Sequence, residues 1–372
     1  MIKIGITGQA GFVGTHLYNT LGLHPEEFER IDFQRSFFDN ETDLGTFVSQ
    51  CDVIVHLAAM NRHNEPQVIY DTNVGLVQKL INALTETNSK AHVLFSSSTQ
   101  EERDNLYGKS KKEGRELMIR WAEKSGGKFT GMIIPNVFGP FGHPNYNSVV
   151  ATFCHKLTHG ETPVIEVDGD MKLIYVGELV AKIINEIRSA ESKGEVIVPY
   201  TSEAKVSELL VLLQGYKAGY QDKGEIPAIK NTFELNLFNT FRCYMDIANH
   251  FPVKFVQHID PRGSFVEVIR LGIGGQVSFS TTVPDITRGN HYHTRKIERF
   301  AVIKGKALIQ LRRIGTDAVL DFYLDGNEPS YVDMPIWYTH NIKNIGDEVL
   351  YTNFWINEFY DPNDPDTYFE NV

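Results

Sequence analysis

The spacing of hydrophobic residues changes once along the chain, near residue 250. Over roughly the first 180 residues, short apolar runs such as MIKIGITG, CDVIVHLAA and AHVLFSSS alternate with longer segments whose apolar residues recur every three to four positions. Short apolar runs indicate buried strands, and the longer spacing indicates helices with one buried face. Their regular alternation predicts an α/β domain built on a parallel sheet.

Beyond residue 250 the chain consists of short β-type runs separated by Gly, Asp and Pro, for example SFVEVIR, GQVSFSTTV and EVLYTNFWIN. Helical spacing is almost absent from this part. Strands at such close intervals predict an antiparallel sandwich or barrel. We therefore predict two domains, residues 1–250 and residues 251–372, which join near the sequence ANHFPVK.

Composition narrows the possible partners. The chain has 372 residues, 42% of them hydrophobic, and a net charge of −11, so nucleic acid and anionic membrane would both repel it. The N-terminus enters a strand directly without a signal-peptide pattern, and no apolar run approaches the roughly 20 residues of a membrane span. The three cysteines, Cys51, Cys154 and Cys243, lack disulfide spacing. We expect a cytoplasmic protein with free thiols.

Three glycines follow the first strand and open the first helix, in the pattern TGxxGxxG formed by Gly8, Gly11 and Gly14. Glycine at such a turn allows unusual backbone angles and a close approach of the backbone to a pyrophosphate. The following helix contributes amide groups and the positive end of its dipole. The strand–loop–helix context therefore predicts a dinucleotide-binding loop.

The end of the second predicted strand bears on the choice of dinucleotide. Asp32 lies eighteen residues after Gly14, where an acidic residue binds the 2′-hydroxyl of the NAD ribose. Arg35 lies nearby and can pair with the 2′-phosphate of NADP. These two residues leave NAD and NADP equally open.

A tyrosine and a lysine follow the strand VLFSSST in the sequence YGKSK, as Tyr107 and Lys111. Residues four apart lie on one face of a helix, and an ammonium group beside a phenol lowers the phenol pKa. Tyr107 is then a usable proton donor, and a serine hydroxyl from the preceding strand can bind the substrate oxygen. In this order after a glycine-rich loop, the motif predicts reductase chemistry.

Residues 1–245 resemble the extended short-chain dehydrogenase/reductases that act on nucleotide sugars, in TGQAGFVG, DVIVHLAA, TNVGL, LFSSST, YGKSK, NVFGP and LIYVGELV. The resemblance implies a Rossmann-type domain with Ser98, Tyr107 and Lys111 as the catalytic set. Ser97 and Thr99 remain alternatives for the serine. It also implies a cofactor groove that adds the following residues to the three glycines, Asp32 and Arg35: Phe12, Val13, His56, Leu57, Ala58, Asn73, Tyr107, Lys111 and Asn136.

The β-rich part contains His291, His293, Glu298 and His340. Two histidines at i and i+2 on a strand share a face, and neighbouring strands can add a third histidine and a carboxylate. Such a set suits zinc or another divalent ion. The spacing resembles the paired motifs of the cupin superfamily, a double-stranded β-helix, although Trp337 stands where the second motif usually has glycine. We predict one bound divalent metal ion, with zinc as the expected element and a catalytic or a structural role both open.

Taken together, the two parts resemble bifunctional capsular polysaccharide enzymes in which such a reductase is fused to a cupin. The resemblance implies C3 epimerisation of a UDP-2-acetamido-2,6-dideoxy-4-hexulose by the cupin. It then implies NADPH-dependent reduction at C4 to UDP-2-acetamido-2,6-dideoxy-β-L-talose, on the route to N-acetyl-L-fucosamine, and it suggests a homodimer. A C4 ketone acidifies the C3 proton, so epimerisation must come first. Candidate base, acid or phosphate contacts are Arg262, Arg288, Lys296 and Tyr338.

Three alternatives remain at this stage. One is an NAD-dependent 4-epimerase, or a plain 4-reductase, whose cupin only recognises sugar; NAD retained through purification would support the epimerase. A second is a non-haem iron oxygenase, which would consume oxygen. The third is a non-catalytic NADPH-binding regulatory protein, against which the intact Tyr107 and Lys111 pair argues.

Overall fold

The first half of the chain forms strands from short runs that are buried on both faces, such as VIVH and HVLF. A sheet of such strands needs helices on each side, and the intervening segments supply them because their apolar residues recur at helical spacing. The computed structural model describes residues 1–189, 191–261 and 263–372.

Internal contacts divide the chain into two compact units. The first contains residues 1–152 and 167–206, and the second contains residues 153–166 and 207–372. The predicted boundary at residue 250 therefore stays a prediction about separable fragments, because the contact-defined units divide the chain elsewhere.

The first unit contains nine strands, five helices and the beginning of a sixth among its described residues. The strands are β1 (Ile2–Thr7), β2 (Phe28–Ile31), β3 (Val53–His56), β4 (His92–Ser98), β5 (Lys128–Ile134), β6 (Asn136–Phe138), β7 (Asp170–Tyr175), β8 (Lys193–Ile197) and β9 (Ser202–Lys205). The helices are α1 (Phe12–Leu21), α2 (Glu41–Gln50), α3 (Pro66–Glu86), α4 (Leu106–Ser125), α5 (Val149–Thr158), which continues into the second unit, and α6 (Val176–Ser189). Short 3-10 helices span Arg35–Asp39 and Thr99–Glu102.

Six strands form a parallel sheet in the order β2-β1-β3-β4-β5-β8, and β6, β7 and β9 form a small second sheet. Alternate residues of β3 point to opposite faces of the sheet, and each face has its own hydrophobic core. Val53 and Val55 pack with α1 and α6, whereas Ile54 packs with α2, α3 and α4. The predicted α/β domain with a parallel sheet is confirmed.

The second unit begins with helices and continues as an all-β domain. Its helices are α7 (Val206–Tyr216), a π-helical turn (Lys217–Gln221), α8 (Thr232–Arg242) and α9 (Ile247–His250). Its strands are β10 (Val253–Lys254), β11 (Gln257–Asp260), β12 (Gly263–Val266), β13 (Gln276–Thr282), β14 (Thr287–Tyr292), β15 (Glu298–Lys304), β16 (Lys306–Arg313), β17 (Val319–Asp325), β18 (Ser330–Met334), β19 (Tyr338–Asn344), β20 (Leu350–Ile356) and β21 (Tyr368–Phe369).

Two antiparallel five-stranded sheets, β10-β18-β15-β20-β13 and β17-β16-β19-β14-β21, make up this β domain, and β11 pairs with β12 as a hairpin. Their inner faces share one core, to which Val302, Ile309, Val332 and Ile342 belong. The predicted all-β domain of cupin type is confirmed, and it places β14, β15 and β19 where their side chains can meet.

A buried polar network joins the helices of the second unit to its sheets. Arg299 forms two hydrogen bonds with Asp333, at 2.7 and 2.9 Å, and Tyr220 donates a third to the same carboxylate at 2.7 Å. Arg242 donates to the Tyr220 hydroxyl at 3.1 Å and to the carbonyl of Met334 at 3.0 Å. Helical residues before position 250 are therefore bonded directly to strands after it.

No helix in the described ranges combines the length and the apolar character that crossing a bilayer requires. The three cysteines are free, as expected; Cys51 and Cys154 are buried, and Cys243 is half-buried.

Candidate functional sites

The glycine-rich loop lies at the carboxyl end of β1 and leads into α1. Gly8 has a φ of +78°, a left-handed conformation that favours glycine. A Cβ atom on Gly14 would lie 2.2 Å from the carbonyl oxygen of Gly8, so only glycine allows this close approach of helix and loop. Gly11 caps α1, whose first residues are Phe12 and Val13. The loop therefore offers the backbone amides of a helix N-terminus to an anionic ligand.

His56 is the last residue of β3, the strand next to β1, and Leu57 and Ala58 follow it. The Nδ1 atom of His56 shares a hydrogen bond of 2.7 Å with the hydroxyl of Thr7, and its Nε2 atom has no hydrogen-bond partner. Its ring stacks on Phe95 with 5.7 Å between the centres. Burial, assisted by Lys111, lowers the pKa of His56 to about 3, so the imidazole is neutral at pH 7.

Asn73 lies in α3, and its side chain is occupied by protein groups. Its Oδ1 atom accepts from the amide of Met60 at 2.7 Å, and its Nδ2 atom donates to the carbonyl of Met60 and to Ser110, both at 3.0 Å. Asn73 therefore ties the segment after β3 to α4.

Asp32 and Arg35 lie at the end of β2, and both are exposed. Asp32 accepts a hydrogen bond from the hydroxyl of Tyr18 at 3.2 Å, and Arg35 opens a 3-10 helix. With a carboxylate and a guanidinium both accessible, this edge of the sheet is compatible with either NAD or NADP.

Tyr107 and Lys111 lie in the first turns of α4. That helix begins at Leu106 because the side chain of Asn105 caps it, accepting from the amide of Gly108 at 2.7 Å. Lys111 is only 3% exposed. Its Nζ atom lies 3.5 Å from the hydroxyl of Ser96 and 5.0 Å from the centre of the Phe95 ring. Burial lowers the pKa of Lys111 to about 8, against an opposing effect of Glu101.

The phenol of Tyr107 behaves differently from the prediction. Burial, together with the neighbouring Tyr146, raises the pKa of Tyr107 to about 12. The expected lowering by Lys111 is not found, because the ammonium group is directed at Ser96 and Phe95. In this conformation Tyr107 is protonated at neutral pH and can act as a proton donor.

The three serines of β4 alternate between the two faces of the strand. Ser97 is buried and donates to Glu101, whose carboxylate Arg115 holds with hydrogen bonds of 3.0 and 2.7 Å. Ser98 caps the following 3-10 helix, accepting from the amide of Gln100 at 3.2 Å. Ser96 and Ser98 share the other face, and Ser96 contacts Lys111. The sequence interpretation missed Ser96, which the period of two in SSS would have placed beside Ser98.

Thr99 and Asn136 lie farther along the chain. Thr99 is exposed and begins the 3-10 helix. Asn136 is also exposed and opens β6, where its Nδ2 atom donates to the carbonyl of Lys172 at 3.3 Å. The structure therefore places Asn136 in the second, smaller sheet of the first unit.

In the second unit, His291, His293, Glu298 and His340 converge, with one ligand atom from each lying within 4.8 Å of the others. His291 comes from β14, Glu298 begins β15 and His340 lies in β19, while His293 follows β14 directly. The Nε2 atoms of His293 and His340 each lie 3.1 Å from Oε2 of Glu298. Three imidazoles and one carboxylate at these distances match the donor set of a divalent metal site.

Hydrogen bonds on the far side of two rings determine which nitrogen faces this cluster. The Nδ1 atom of His293 contacts the carbonyl of Asp366 at 2.5 Å, and that of His340 contacts the carbonyl of Tyr338 at 3.2 Å. A carbonyl only accepts, so both Nδ1 atoms carry a proton, and both Nε2 atoms face Glu298, where a metal ion would take the place of any proton. Nε2 of His340 is buried and lies beside Glu298 without a well-aligned hydrogen bond, as expected of a ligand atom.

The electrostatics of the cluster favour an anionic carboxylate. Burial acts to raise the pKa of Glu298, but the contacts with His293 and His340 outweigh burial and lower it. Burial and the neighbouring His340 lower the pKa of His291 to about 4. Glu298 is therefore ionised at neutral pH, in the form that binds metal.

The turn around Trp337 explains the departure from the cupin pattern. Trp337 has a φ of +61°, the left-handed conformation in which the motif usually has glycine. Its amide donates to the carbonyl of His293 at 2.8 Å, and its ring stacks on Tyr292 with 5.7 Å between the centres. Packing and hydrogen bonding therefore hold tryptophan in a conformation that is otherwise unfavourable for it.

The other candidates in this unit lie in different environments. Lys296 is 2% exposed, and its Nζ atom donates to the carbonyl of Pro365 at 2.5 Å. Arg288 is exposed on β14, and Tyr338 is half-buried with a pKa that burial raises to about 12. Arg262 lies outside the described residues. Lys296 is therefore anchored to the C-terminal segment, and its candidate role stays a prediction.

Fold and sites define the class of protein: a Rossmann-type reductase domain joined to a cupin-type β domain. Residues 4–198 match the NAD dependent epimerase/dehydratase family, and residues 258–368 match the polysaccharide biosynthesis C-terminal domain. The chain therefore belongs to the NAD dependent epimerase/dehydratase family, among the CapF-like proteins that carry this C-terminal domain. Membership implies a nicotinamide cofactor and nucleotide-sugar chemistry.

Two relatives match over nearly the full length of both chains. The chain is 31% identical to a UDP-2-acetamido-2,6-beta-L-arabino-hexul-4-ose reductase of Pseudomonas aeruginosa, over 99% of this chain and 98% of the relative. Its sequence is 35% identical to that of the capsular polysaccharide assembling protein CapF from Staphylococcus aureus. The crystal structure of CapF matches the fold with a TM-score of 0.64, over the full length of both chains. RMD from Pseudomonas aeruginosa, complexed with NADPH, is 20% identical over 59% of this chain and 83% of its own, with a TM-score of 0.53, and shares the fold.

Proposed function

We propose that the protein is a bifunctional nucleotide-sugar enzyme that epimerises C3 of a UDP-2-acetamido-2,6-dideoxy-4-hexulose and then reduces its C4 ketone. The product is UDP-2-acetamido-2,6-dideoxy-β-L-talose. One observation carries this proposal: the Tyr107 and Lys111 pair lies in one compact unit, and the three-histidine and glutamate cluster lies in the other. The name of the Pseudomonas relative, a reductase of a UDP-linked hexul-4-ose, supports the substrate class.

In the reductase unit, Gly8, Gly11 and Gly14 hold the pyrophosphate of NADPH, and Arg35 pairs with its 2′-phosphate. When bound, the nicotinamide supplies the hydride for C4. Tyr107 donates its phenolic proton to the developing C4 alkoxide, which its pKa of about 12 allows because an alkoxide is the stronger base. Lys111 contributes positive charge beside this transfer, and Ser98 orients the ketone oxygen.

In the cupin unit, His291, His293, Glu298 and His340 hold one divalent ion, with zinc as the expected element. When bound, such an ion supplies Lewis acidity toward an oxygen of the substrate or links the strands around the pocket. The C4 ketone acidifies the C3 proton, whose removal leaves an enolate. After reduction at C4 this acidity is lost, so the cupin acts before the reductase.

We also propose that the protein is a homodimer. Strand β13 is at the edge of its sheet and exposes Val277 and Phe279, by 55% and 72%. An exposed apolar edge strand favours pairing with another chain. Light scattering of the purified protein tests this part of the proposal, and a monomer at micromolar concentration would contradict it.

The deciding experiment is incubation with a UDP-2-acetamido-2,6-dideoxy-4-hexulose and either NADPH or NADH, with the product configuration determined by NMR. We expect a product inverted at C3 and reduced at C4, formed faster with NADPH. Reduction at C4 without inversion at C3 would show that the protein is a plain 4-reductase. Interconversion at C4 with NAD retained by the protein would make it a 4-epimerase.

A further inference from the structure

The C-terminal segment of the chain contacts the loop that carries the histidines. Asp366 is 2% exposed, and its Oδ1 atom accepts from the amide and the hydroxyl of Thr294, at 3.0 and 2.7 Å. Its Oδ2 atom accepts from the amides of Arg295 and Lys296, at 3.0 and 2.9 Å. Its carbonyl contacts Nδ1 of His293 at 2.5 Å. A single residue therefore bonds to four consecutive positions of the loop that leads to the cluster.

These contacts replace the hydration that the Asp366 carboxylate loses on burial. Three backbone amides and a hydroxyl provide the hydrogen bonds that a buried carboxylate requires. The φ of Asp366 is +40°, an unfavourable conformation for a residue with a side chain, which persists only where surrounding contacts hold it. The segment is therefore shaped to this loop.

Neighbouring contacts hold the same segment in place. Lys296 donates to the carbonyl of Pro365, and Arg295 donates to the carboxylate of Asp364 at 3.0 Å. Strand β21 pairs with β14, so that Phe369 is opposite His291. The end of the chain thus supports both histidines of the first motif.

The consequence for His293 is a defined ring orientation. Donation from Nδ1 to the carbonyl of Asp366 turns Nε2 toward Glu298, 3.1 Å away. A hydrogen bond on the far nitrogen of a ligating histidine sets its tautomer and its orientation toward a metal.

We propose that Asp366 is a positioning residue for the metal centre, through which the end of the chain orients His293 and increases metal affinity. This inference rests on the proposed metal site. It assigns Asp366 no contact with substrate or metal.

The test compares Asp366→Ala and Asp366→Asn in the full chain with Asp361→Asn, a control earlier in the same segment whose exposed carboxylate accepts from the amide of Asn363. Metal-free proteins are titrated with Zn²⁺ in competition with a chromophoric chelator, and the Co²⁺-loaded forms are compared by visible absorption. We expect Asp366→Ala to weaken Zn²⁺ binding about 10- to 100-fold and to alter the Co²⁺ spectrum. Asp366→Asn should lose less, because its amide oxygen still accepts and asparagine tolerates a left-handed conformation. The control should match the parent protein.

Separate outcomes distinguish the two proposals. If the parent protein is folded and binds no Zn²⁺, the proposed metal site itself is wrong. If the parent binds and both folded Asp366 variants match it in affinity and spectrum, the role of Asp366 is wrong while the metal site stands. A role limited to folding would lower the melting temperature of the metal-free variants without changing either readout, and would also overturn the inference. If Asp366→Ala does not fold, Asp366→Asn alone decides.

Discussion

The ammonium nitrogen of Lys111 lies 3.5 Å from the hydroxyl oxygen of Ser96, in a site where Lys111 is almost fully buried. Its other close neighbour is the face of the Phe95 ring, so neither direct contact is an anion. A buried ammonium loses its hydration, and these neutral groups replace the hydration only in part. Burial therefore destabilises the charged form of Lys111 relative to the neutral amine. This is why the pKa of Lys111 falls to about 8.

Ketone reduction is therefore expected to depend on pH through Lys111. Below pH 8 the group is an ammonium and supports proton transfer from Tyr107; above pH 8 it becomes neutral and that support is lost. The value of kcat/KM should fall above about pH 8, approaching about tenfold per pH unit. Steady-state reduction of the 4-hexulose, monitored by NADPH absorbance between pH 6 and 10, measures this profile.

Lys111→Arg serves as the matched variant. Arginine remains charged throughout this range, so whatever activity the variant retains should lack the fall above pH 8. An unchanged alkaline limb in Lys111→Arg would show that another group titrates.

Replacing Tyr107 with phenylalanine removes the proton donor and leaves the ring. Reduction of the keto-sugar should decrease at least about a hundredfold, a low value for loss of a general acid. Exchange of the C3 proton with deuterated water should persist, because the cluster of the second unit remains intact. NADPH oxidation together with NMR-detected exchange measures both reactions. Near-normal reduction would refute the role of Tyr107.

His293→Ala should remove most of the metal from the protein. The parent protein, purified without added metal, should contain close to one equivalent by elemental analysis, because four donors converge within 4.8 Å. His258→Ala is the control, since His258 is an exposed histidine of the same unit outside the cluster. A metal-free parent protein with full C3 exchange activity would refute the site.

Dividing the chain at two positions tests where the cupin unit begins. A fragment of residues 252–372 lacks Tyr220 and Arg242. A fragment of residues 207–372 retains these two residues, which complete the buried network around Arg299 and Asp333. Breaking a buried ionic network typically costs about 3–5 kcal/mol, so the longer fragment should be the more stable. Thermal unfolding by circular dichroism measures the difference.

The same fragments test whether the activities separate. We expect residues 207–372 to exchange the C3 proton without NADPH. An N-terminal fragment of residues 1–245 should reduce the unepimerised ketone poorly, because the C3 hydroxyl orients the ring for hydride delivery. If that fragment alone made the talose product, the cupin would be a recognition or dimerisation module.

Several features could be predicted from the sequence because they depend on residues close together in the chain. The periods of two and of three to four distinguish strands from helices, and from them follow a parallel α/β sheet and an all-β domain. TGxxGxxG lies within one turn between strand and helix, and Tyr107 and Lys111 share a face because they are one helical turn apart. The spacing of His291, His293 and Glu298 is also local.

The tertiary structure alone decided the features that depend on distant residues. Asp366 contacts His293 from 73 positions along the chain, and no local pattern marks it. Residues 207–250 belong with the β domain because Tyr220 and Arg242 find Arg299 and Asp333 there, although their helical spacing resembles that of the first domain. Burial also set the pKa of Tyr107 and Lys111, and one of these pKa values opposes the prediction. Spacing along the chain determines which side chains share a face, but desolvation and pairing depend on what packs against that face, and only the folded chain determines this.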